Sequence, residues 1–352
     1  MTADMSHRDV DSSASEARGN GTDPASSGPE PGVSGSTERE TGSRPPEQPS
    51  PVLARTREDL ALAMAALRGA RRRVALVPTM GALHDGHRAL IHHAHEVADA
   101  VVVTIFVNPL QFGPNEDFSR YPRPLEADLA ICAKEAVAVV FAPALEVIYP
   151  REPLVTIDPG PMAKTLEGAT RPGHFAGVLT VVTKLFNLVR PDVAVFGQKD
   201  AQQLALVRRL VADLDLPIRI EAVSTVREVG GLAISSRNRY LTATERETAG
   251  ALSRALVAGA SQAAAGAVAV RDQARQVLDD ASRADPPLRL DYLALVAPAT
   301  FAEVAEDYRG EAVLAVAAYV GTTRLIDNQP LTVGRPSPPA GAPAANSVGG
   351  ER

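Results

Sequence analysis

The segment PTMGALHDGHRAL, residues 78–90, sets His84 and His87 three positions apart around Gly86, directly after the apolar run VALV at 74–77. Such a pair could ligate a metal, fill a structural niche or hold phosphate. A metal would need further ligands, and nothing with zinc-like spacing follows. The segment opens a helix, placing His84 just before it and His87 in its first turn, where unpaired backbone N–H groups already favour an anion. Imidazole can donate to phosphate oxygens and, when protonated, add charge or deliver a proton. Gly81 and Gly86 let the backbone approach closely. Position therefore favours phosphate. His92, His93 and His95 follow on the same helix without a carboxylate partner motif, which suits a solvated face.

Three more polar clusters follow apolar runs. FVNPLQFGPNEDFSRYPR (106–123) carries Asn108 and Gln111, which suit a small polar substrate or simply a polar connecting loop. In FGQKDAQQL (196–204), Lys199 could neutralise phosphate charge and Asp200 could cap the next helix. ISSRNRYL (234–241) offers two hydroxyls and two arginines, suited to triphosphate oxygens or to a polar interdomain loop. Each is a weak signal alone.

The elements that must position these clusters alternate along the chain. Helical patterns are read at 57–67, 87–97, 125–134, 180–188 and 202–214, and strands at 74–77, 101–107, 138–141, 193–196 and 218–223. Apolar strands without polar alternation imply a parallel sheet covered on both faces, and such sheets place ligands at the carboxyl ends of their strands. After about Val226 the pattern changes to two long helices, Ala243 to Ala265 and Arg271 to Arg283, and two strands, 289–296 and 312–320. The expected fold class is α/β, a Rossmann-like parallel-sheet domain over 51–225 with a smaller C-terminal α+β domain over 226–331. Residues 1–50 contain no Leu, Ile, Phe, Tyr or Trp and read as a disordered tail, as do residues 332–352.

Composition narrows the function class. Hydrophobic residues make up 45% and charged residues 22%, ordinary for a globular protein. The longest apolar run, AVAVVFAPAL at 136–145, is far short of the roughly 18 residues of a membrane span, and no signal-peptide pattern opens the chain. A cytoplasmic protein with no membrane partner is expected. The single cysteine, Cys132, excludes an internal disulfide and reads as a core thiol. A net charge of -6 argues against a nucleic-acid partner.

Order and placement make the four clusters specific together. With RPGHFAGVLTVVTKL (171–185) and GTTRLIDN (321–328), the chain resembles the pantothenate synthetase family over nearly all of residues 51–331. That family of ATP-dependent ligases belongs to the nucleotidyltransferase superfamily that carries the HxGH motif. The resemblance implies condensation of (R)-pantoate with β-alanine through a pantoyl-adenylate, releasing AMP and pyrophosphate, in a homodimer. It implies that Met80, Gly81, Ala82, Leu83, His84, Asp85, Gly86 and His87 line ATP, with His87 the proton donor. Gly197, Gln198, Lys199 and Asp200, together with Ile234, Ser235, Ser236 and Arg237, would form the other ATP-binding segments, with Val226 near adenine through its backbone. His84, His87, Lys199 and Arg237 would carry the catalysis. Gln111 and Gln203 would hold pantoate, Gln111 also bordering β-alanine. Magnesium (Mg2+) would accompany ATP, with Asp128 as an outer-sphere partner.

Two positions depart from the family pattern. Gln198 stands where an acidic residue is usual, removing a negative charge beside Lys199, and Gly230 stands where Asp is common. Other readings of the HxGH motif are a nucleotidyltransferase that stops at nucleotidyl transfer, a tRNA-charging enzyme and a nucleotide sensor. The paired glutamines argue against the first, and the lack of a basic anticodon domain and of a KMSKS-like loop against the second.

Overall fold

The computed structural model describes residues 50–114 and 116–334. The expected N-terminal tail lies outside them apart from Ser50, as does the C-terminal tail from residue 335 onward.

The run VALV belongs to strand β2 (Val74–Thr79), buried along nearly its whole length. Around it β1 (Val52–Ala54), β3 (Ala100–Ile105), β4 (Val139–Phe141), β5 (Val193–Gly197) and β6 (Arg219–Val223) form a six-stranded sheet in the order β1-β4-β3-β2-β5-β6. Every pairing in it is parallel. The β-branched content of β2, β3 and β5 suits a sheet with both faces covered, and both are.

The helices in chain order are α1 (Arg57–Gly69), α2 (Asp85–Val97), α3 (Leu125–Lys134), the short α4 (Leu145–Ile148) and α5 (Glu167–Thr170), α6 (His174–Val189) and α7 (Ala201–Asp213). A capping box of Thr56 and Asp59 starts α1 by satisfying its first free N–H groups. Residues of α1, α6 and α7 build the core on one face of the sheet, with Leu60, Met64, Phe186 and Val207 buried there. Residues of α2 and α3 build the other, around Ile91, Ala94 and Cys132. Cys132 is fully buried, and burial pushes its thiol up to about 12, as a core thiol requires. Helix α6 begins at His174, six residues before the expected start, because Gly173 turns the chain at φ 83°.

Beyond β6 come α8 (Ala243–Ala249), α9 (Ala251–Ser261) and α10 (Ala267–Ala281), then the antiparallel strands β7 (Leu288–Val296), β8 (Gly310–Val320) and β9 (Thr323–Val333). The single helix expected over 243–265 is interrupted at Gly250 and ends in a 3₁₀ turn at Ala263–Ala265, and the next begins at Ala267 rather than Arg271. A third strand joins the two expected. Strand β9 carries Arg324, Asp327, Asn328 and Gln329, so it lacks the apolar run that marks a strand in sequence. It also continues to Val333, two residues past the expected boundary, and buries that side chain. Helices α9 and α10 pack on this sheet around Leu252, Leu256, Leu278 and Leu314. Ala201 and Ala205 of α7 meet Ala294, Val296, Phe301 and Val313, joining the small sheet to the large one.

Candidate active site

The chain leaves β2 at Thr79 and turns through Gly81 (φ 82°) and Ala82 (φ 51°) before α2 starts. Two left-handed residues in succession aim consecutive N–H groups the same way. The Ala82 N–H donates to Asp128 Oδ2 at 2.9 Å and the Leu83 N–H to Asp128 Oδ1 at 2.7 Å. A Cβ on residue 81 would come within 2.9 Å of Asp128 Oδ2, so glycine is needed there for space as well as conformation. Asp128 is buried on α3, and both its oxygens are engaged. It therefore braces the loop.

His84 is the N-cap residue of α2, and its backbone N–H donates to His87 Nδ1 at 3.3 Å. That bond makes Nδ1 of His87 an acceptor, so the ring of the neutral residue carries its proton on Nε2. The two rings lie against each other at a tilt of 38°, with centroids 4.1 Å apart. A Cβ on residue 86 would lie 2.9 Å from the His84 ring, which is why the motif has Gly86 between its histidines. His84 Nδ1 is buried without a hydrogen-bond partner. An unpaired buried polar atom is costly unless a ligand meets it.

Both imidazoles are held neutral. Burial lowers His84, and the Lys199 charge lowers it further. Burial and then the neighbouring His84 bring His87 down to about 3. The histidines thus present neutral imidazoles, and a positive charge on His87 is disfavoured in the free protein. The sign of the resulting pH dependence follows. The unfolded chain takes up protons near the ordinary value of 6.5, whereas the folded chain keeps His87 neutral down to about 3. Stability conferred by the neutral ring is present above 6.5 and lost as pH falls toward 3. Urea unfolding at a series of pH values is expected to show this decline, with a shallower slope in His87→Gln; equal slopes would contradict it.

Asn108 follows β3 and caps the 3₁₀ turn Pro109–Gln111. Buried, it donates to Gln111 Oε1 at 3.1 Å and to the Gly177 carbonyl at 3.1 Å, and accepts from Tyr149 Oη at 3.0 Å. Gln111 Nε2 donates to Met80 Sδ at 3.1 Å, which joins this cluster to the histidine loop.

The third cluster turns from β5 into α7 through the 3₁₀ residues Gln198–Asp200. Asn328 of β9 donates to the carbonyls of Gln198 at 2.9 Å and Lys199 at 2.8 Å, and its Oδ1 accepts from Gln198 Nε2 at 3.1 Å. The amide at position 198 is thus a donor to β9, a task a carboxylate could not perform. Lys199 Nζ lies 3.7 Å from Asp200 Oδ1. Asp200 occupies the N-cap position of α7 but makes no capping hydrogen bond, so the expected cap is absent.

In the fourth cluster Ser235 caps a 3₁₀ turn over Ser236–Tyr240. Arg237 Nη2 donates to Asp117 Oδ1 at 3.1 Å and Ser236 Oγ lies 3.4 Å from Tyr121 Oη, so the second and fourth clusters meet. The Ile234 N–H donates to the Val226 carbonyl at 2.9 Å. Gly230 sits at φ 105°, a conformation that the Asp usual there would adopt only with strain.

A cavity of about 500 Å³ opens between the carboxyl edge of the large sheet and the small sheet. Lys199, Asp200, Gln203, Ser235 and Arg237 line it. Residues 80–87, Gln111, Gly197, Gln198, Val226, Ile234 and Ser236 are not among its lining residues. Gln111 and Met80 touch each other, and the histidines feel the charges of Lys199 and Asp200. Sequence reasoning gave no role to Glu116, Arg171, His174, Glu167, Arg324 or Asn328, all of which line the cavity. Glu167, buried on α5, accepts from Arg324 of β9 at 2.7 and 2.8 Å and from Tyr292 of β7 at 2.9 Å, tying the two sheets together across it. The signal that could have found Arg171, His174, Arg324 and Asn328 is the run of polar and imidazole groups in RPGHF and TRLIDN, set against strongly apolar neighbours.

His92 and His95 have acidic surroundings after all. His92 Nε2 meets the Glu135 carboxylate, His95 Nε2 bonds the Glu135 carbonyl at 2.8 Å, and His93 Nδ1 meets Glu96 at 2.9 Å. His92 and His95 are exposed, as a solvated face requires, and also reach Glu135 at the end of α3, whereas His93 is half-buried and pairs within α2.

The sequence model of the family described as Pantoate-beta-alanine ligase matches residues 52–330. The pantothenate synthetase of Thermobifida fusca is 62% identical over 290 residues, 81% of this chain and 97% of that one. That of Acidothermus cellulolyticus is 57% identical over 286 residues, 80% of this chain and 92% of that one. The crystal structure of pantothenate synthetase from Thermus thermophilus superposes with a TM-score of 0.73 at 44% identity, covering 79% of this chain and 98% of that one. The pantoate-beta-alanine ligase of Francisella tularensis, solved in complex with beta-gamma ATP and beta-alanine, gives 0.63 at 33% identity, covering 79% of this chain and 97% of that one. With the family model, these relatives and the two-sheet architecture all agreeing over that span, the chain belongs to the pantoate–β-alanine ligase family.

Proposed function

We propose that the cavity and the histidine loop beside it join pantoate to β-alanine at the expense of ATP, through a pantoyl-adenylate. The carrying observation is that neutral N–H donors at the start of α2, the cation of Lys199 and the amide of Gln111 are brought to one edge of the sheet. A carboxylate is a poor acyl donor, so a pantoate carboxylate oxygen first attacks the α-phosphorus, and pyrophosphate leaves. The β-alanine amine then attacks the mixed anhydride, and AMP leaves as the amide forms.

Residues 80–87 would line the nucleotide, with His84 and His87 donating to phosphate oxygens as charge develops. Gly197–Asp200 and Ile234–Arg237 would close over the triphosphate, Lys199 and Arg237 supplying charge, with the Val226 backbone near adenine. Gln111 and Gln203 would hold pantoate, and neutral amides suit this because they orient its carboxylate without quenching its nucleophilicity. Catalysis of this kind is mostly alignment and stabilisation of phosphoryl charge.

Magnesium enters as part of the substrate, MgATP. Among the described residues no group of three or more His, Cys, Asp or Glu is placed to hold a metal. Of the carboxylates lining the cavity, Glu116, Asp117, Glu167 and Asp327 are paired with arginines, whereas Asp200 is half exposed beside Lys199. That donor set fits an ion held mainly by triphosphate oxygens and water, with Asp200 the side chain to meet its hydration shell.

A homodimer belongs to the same proposal, supported by the family resemblance, and so does a division near residue 225 into a nucleotide- and pantoate-binding domain and a smaller C-terminal one. Among the described residues no helix is long and apolar enough to cross a membrane. A cytoplasmic location accords with the use of ATP.

The test is release of AMP and pyrophosphate from MgATP with pantoate and β-alanine added separately and together. Sustained AMP formation is expected only with both, with pantothenate as product. Nucleotidyl transfer giving a stable nucleotide-linked product would instead favour another HxGH nucleotidyltransferase.

A further inference from the structure

One chain of polar groups in the cavity wall touches the Gln111 turn. Arg171, just before α6, donates from Nε to Glu116 Oε1 at 2.8 Å and from Nη2 to Glu116 Oε2 at 2.5 Å. Its Nη1 lies 2.9 Å from His174 Nε2, and its Nη2 also reaches the Gln111 carbonyl at 3.2 Å. His174 Nδ1 lies 2.8 Å from the same carbonyl.

These contacts leave one assignment of protons. Guanidinium can only donate, so His174 Nε2 is the acceptor. The imidazole proton is then on Nδ1, pointing at the Gln111 carbonyl, which can only accept. The ring is buried, and burial together with the Arg171 charge lowers it to about 4, which keeps this single tautomer at neutral pH. Glu116 fixes Arg171, Arg171 fixes the tautomer of His174, and two N–H donors converge on one backbone oxygen.

The consequence concerns the side chain of the same residue. Gln111 ends a three-residue 3₁₀ turn, too short to be rigid alone. Its amide is oriented by Asn108 and Met80, but those bonds hold only if the backbone beneath stays in register.

We propose that His174 is a positioning residue for pantoate, acting through the Gln111 carbonyl and locked in its donor tautomer by Arg171 and Glu116. The inference rests on the reading of Gln111 as a pantoate ligand, and the test separates the two.

Steady-state kinetics are measured for His174→Ala, His174→Asn, Gln111→Ala and the double variant, with thermal unfolding as a check on folding. His174→Ala is expected to raise the pantoate KM by about fivefold to tenfold, the scale of one lost hydrogen bond, with the ATP KM changed less than about twofold. His174→Asn carries an amide N–H near the place of Nδ1 and is expected to recover most of the loss. In the Gln111→Ala background the His174→Ala effect is expected to vanish. Should His174→Ala fail to fold, His174→Gln replaces it, since Gln keeps the volume but places its donor nearer the position of Nε2. Equal effects of Asn and Ala, a parallel rise in the ATP KM, or a full His174→Ala effect on top of Gln111→Ala would overturn the inference while leaving the Gln111 reading in place. An unchanged pantoate KM in Gln111→Ala would overturn both.

Discussion

His87→Ala is expected to lower pantoate-dependent AMP formation by about 10²- to 10³-fold, the usual cost of removing one well-placed donor to developing charge, while the protein folds normally. The ring is held by the His84 backbone N–H on Nδ1, which directs its Nε2–H outward as a fixed donor. Its buried setting keeps it neutral, so its contribution is a hydrogen bond that needs no reorganisation when the pentavalent phosphorus forms. Two controls sharpen this. Gln presents an N–H near the position of Nε2, so His87→Gln should keep more activity than His87→Ala. Because His87 titrates at about 3 in the free protein, kcat/KM should show no limb near 6.5 that belongs to this residue. A limb there abolished by His87→Gln would restore a protonated histidine to the mechanism, and near-normal turnover of His87→Ala would remove the residue from it.

Asp128→Ala is expected to damage activity nearly as much without touching substrate. The substitution leaves the N–H groups of Ala82 and Leu83 buried and unpaired, at about 1–3 kcal/mol each. It also frees a loop that runs through two consecutive left-handed residues, one of them an alanine. The histidines begin one residue further on, and a displacement of about 1 Å in a catalytic group can cost about 10²-fold. Lower thermal stability together with a loss of kcat on that scale is the expected result. Asp128→Asn keeps one acceptor but turns an N–H toward the other donor, so it should fall between wild type and alanine. If magnesium dependence alone shifted in either variant, with stability intact, the brace would be the wrong account and the metal contact the right one.

Both predictions turn on how much of the site could be read along the chain. The α/β class was legible because VALV, VVVTIFV and VAVF are too uniformly apolar for a sheet with one wet face, and because helical periods separate them. The clusters after β2, β3 and β5 were legible for the same reason, since in a parallel sheet those strand ends must point the same way. Strand β9 was not, because a strand that sends Arg324, Asp327 and Asn328 toward ion pairs and turn carbonyls has no apolar stripe to betray it. The break at Gly250 escaped for a related reason, as an isolated glycine in a helical pattern is compatible with continuing the helix.

What the sequence determined by itself, then, was residue type and local conformation: which strand ends carry histidine, amide, lysine and serine–arginine groups. Tertiary structure alone decided what each polar group is for. Asp128 read only as a candidate metal partner, and its bracing of the histidine loop could not be foreseen, because its two acceptors meet backbone donors 45 and 46 positions away. His92 read as a solvated surface residue and is exposed, but its contact with Glu135, 43 positions away, came only from the tertiary structure. His87 read as a phosphate-facing imidazole, and burial among its neighbours is what disfavours its charged form in the free protein. Burial and long-range hydrogen bonding set both pKa and tautomer, and neither is encoded in the spacing of residues along the chain.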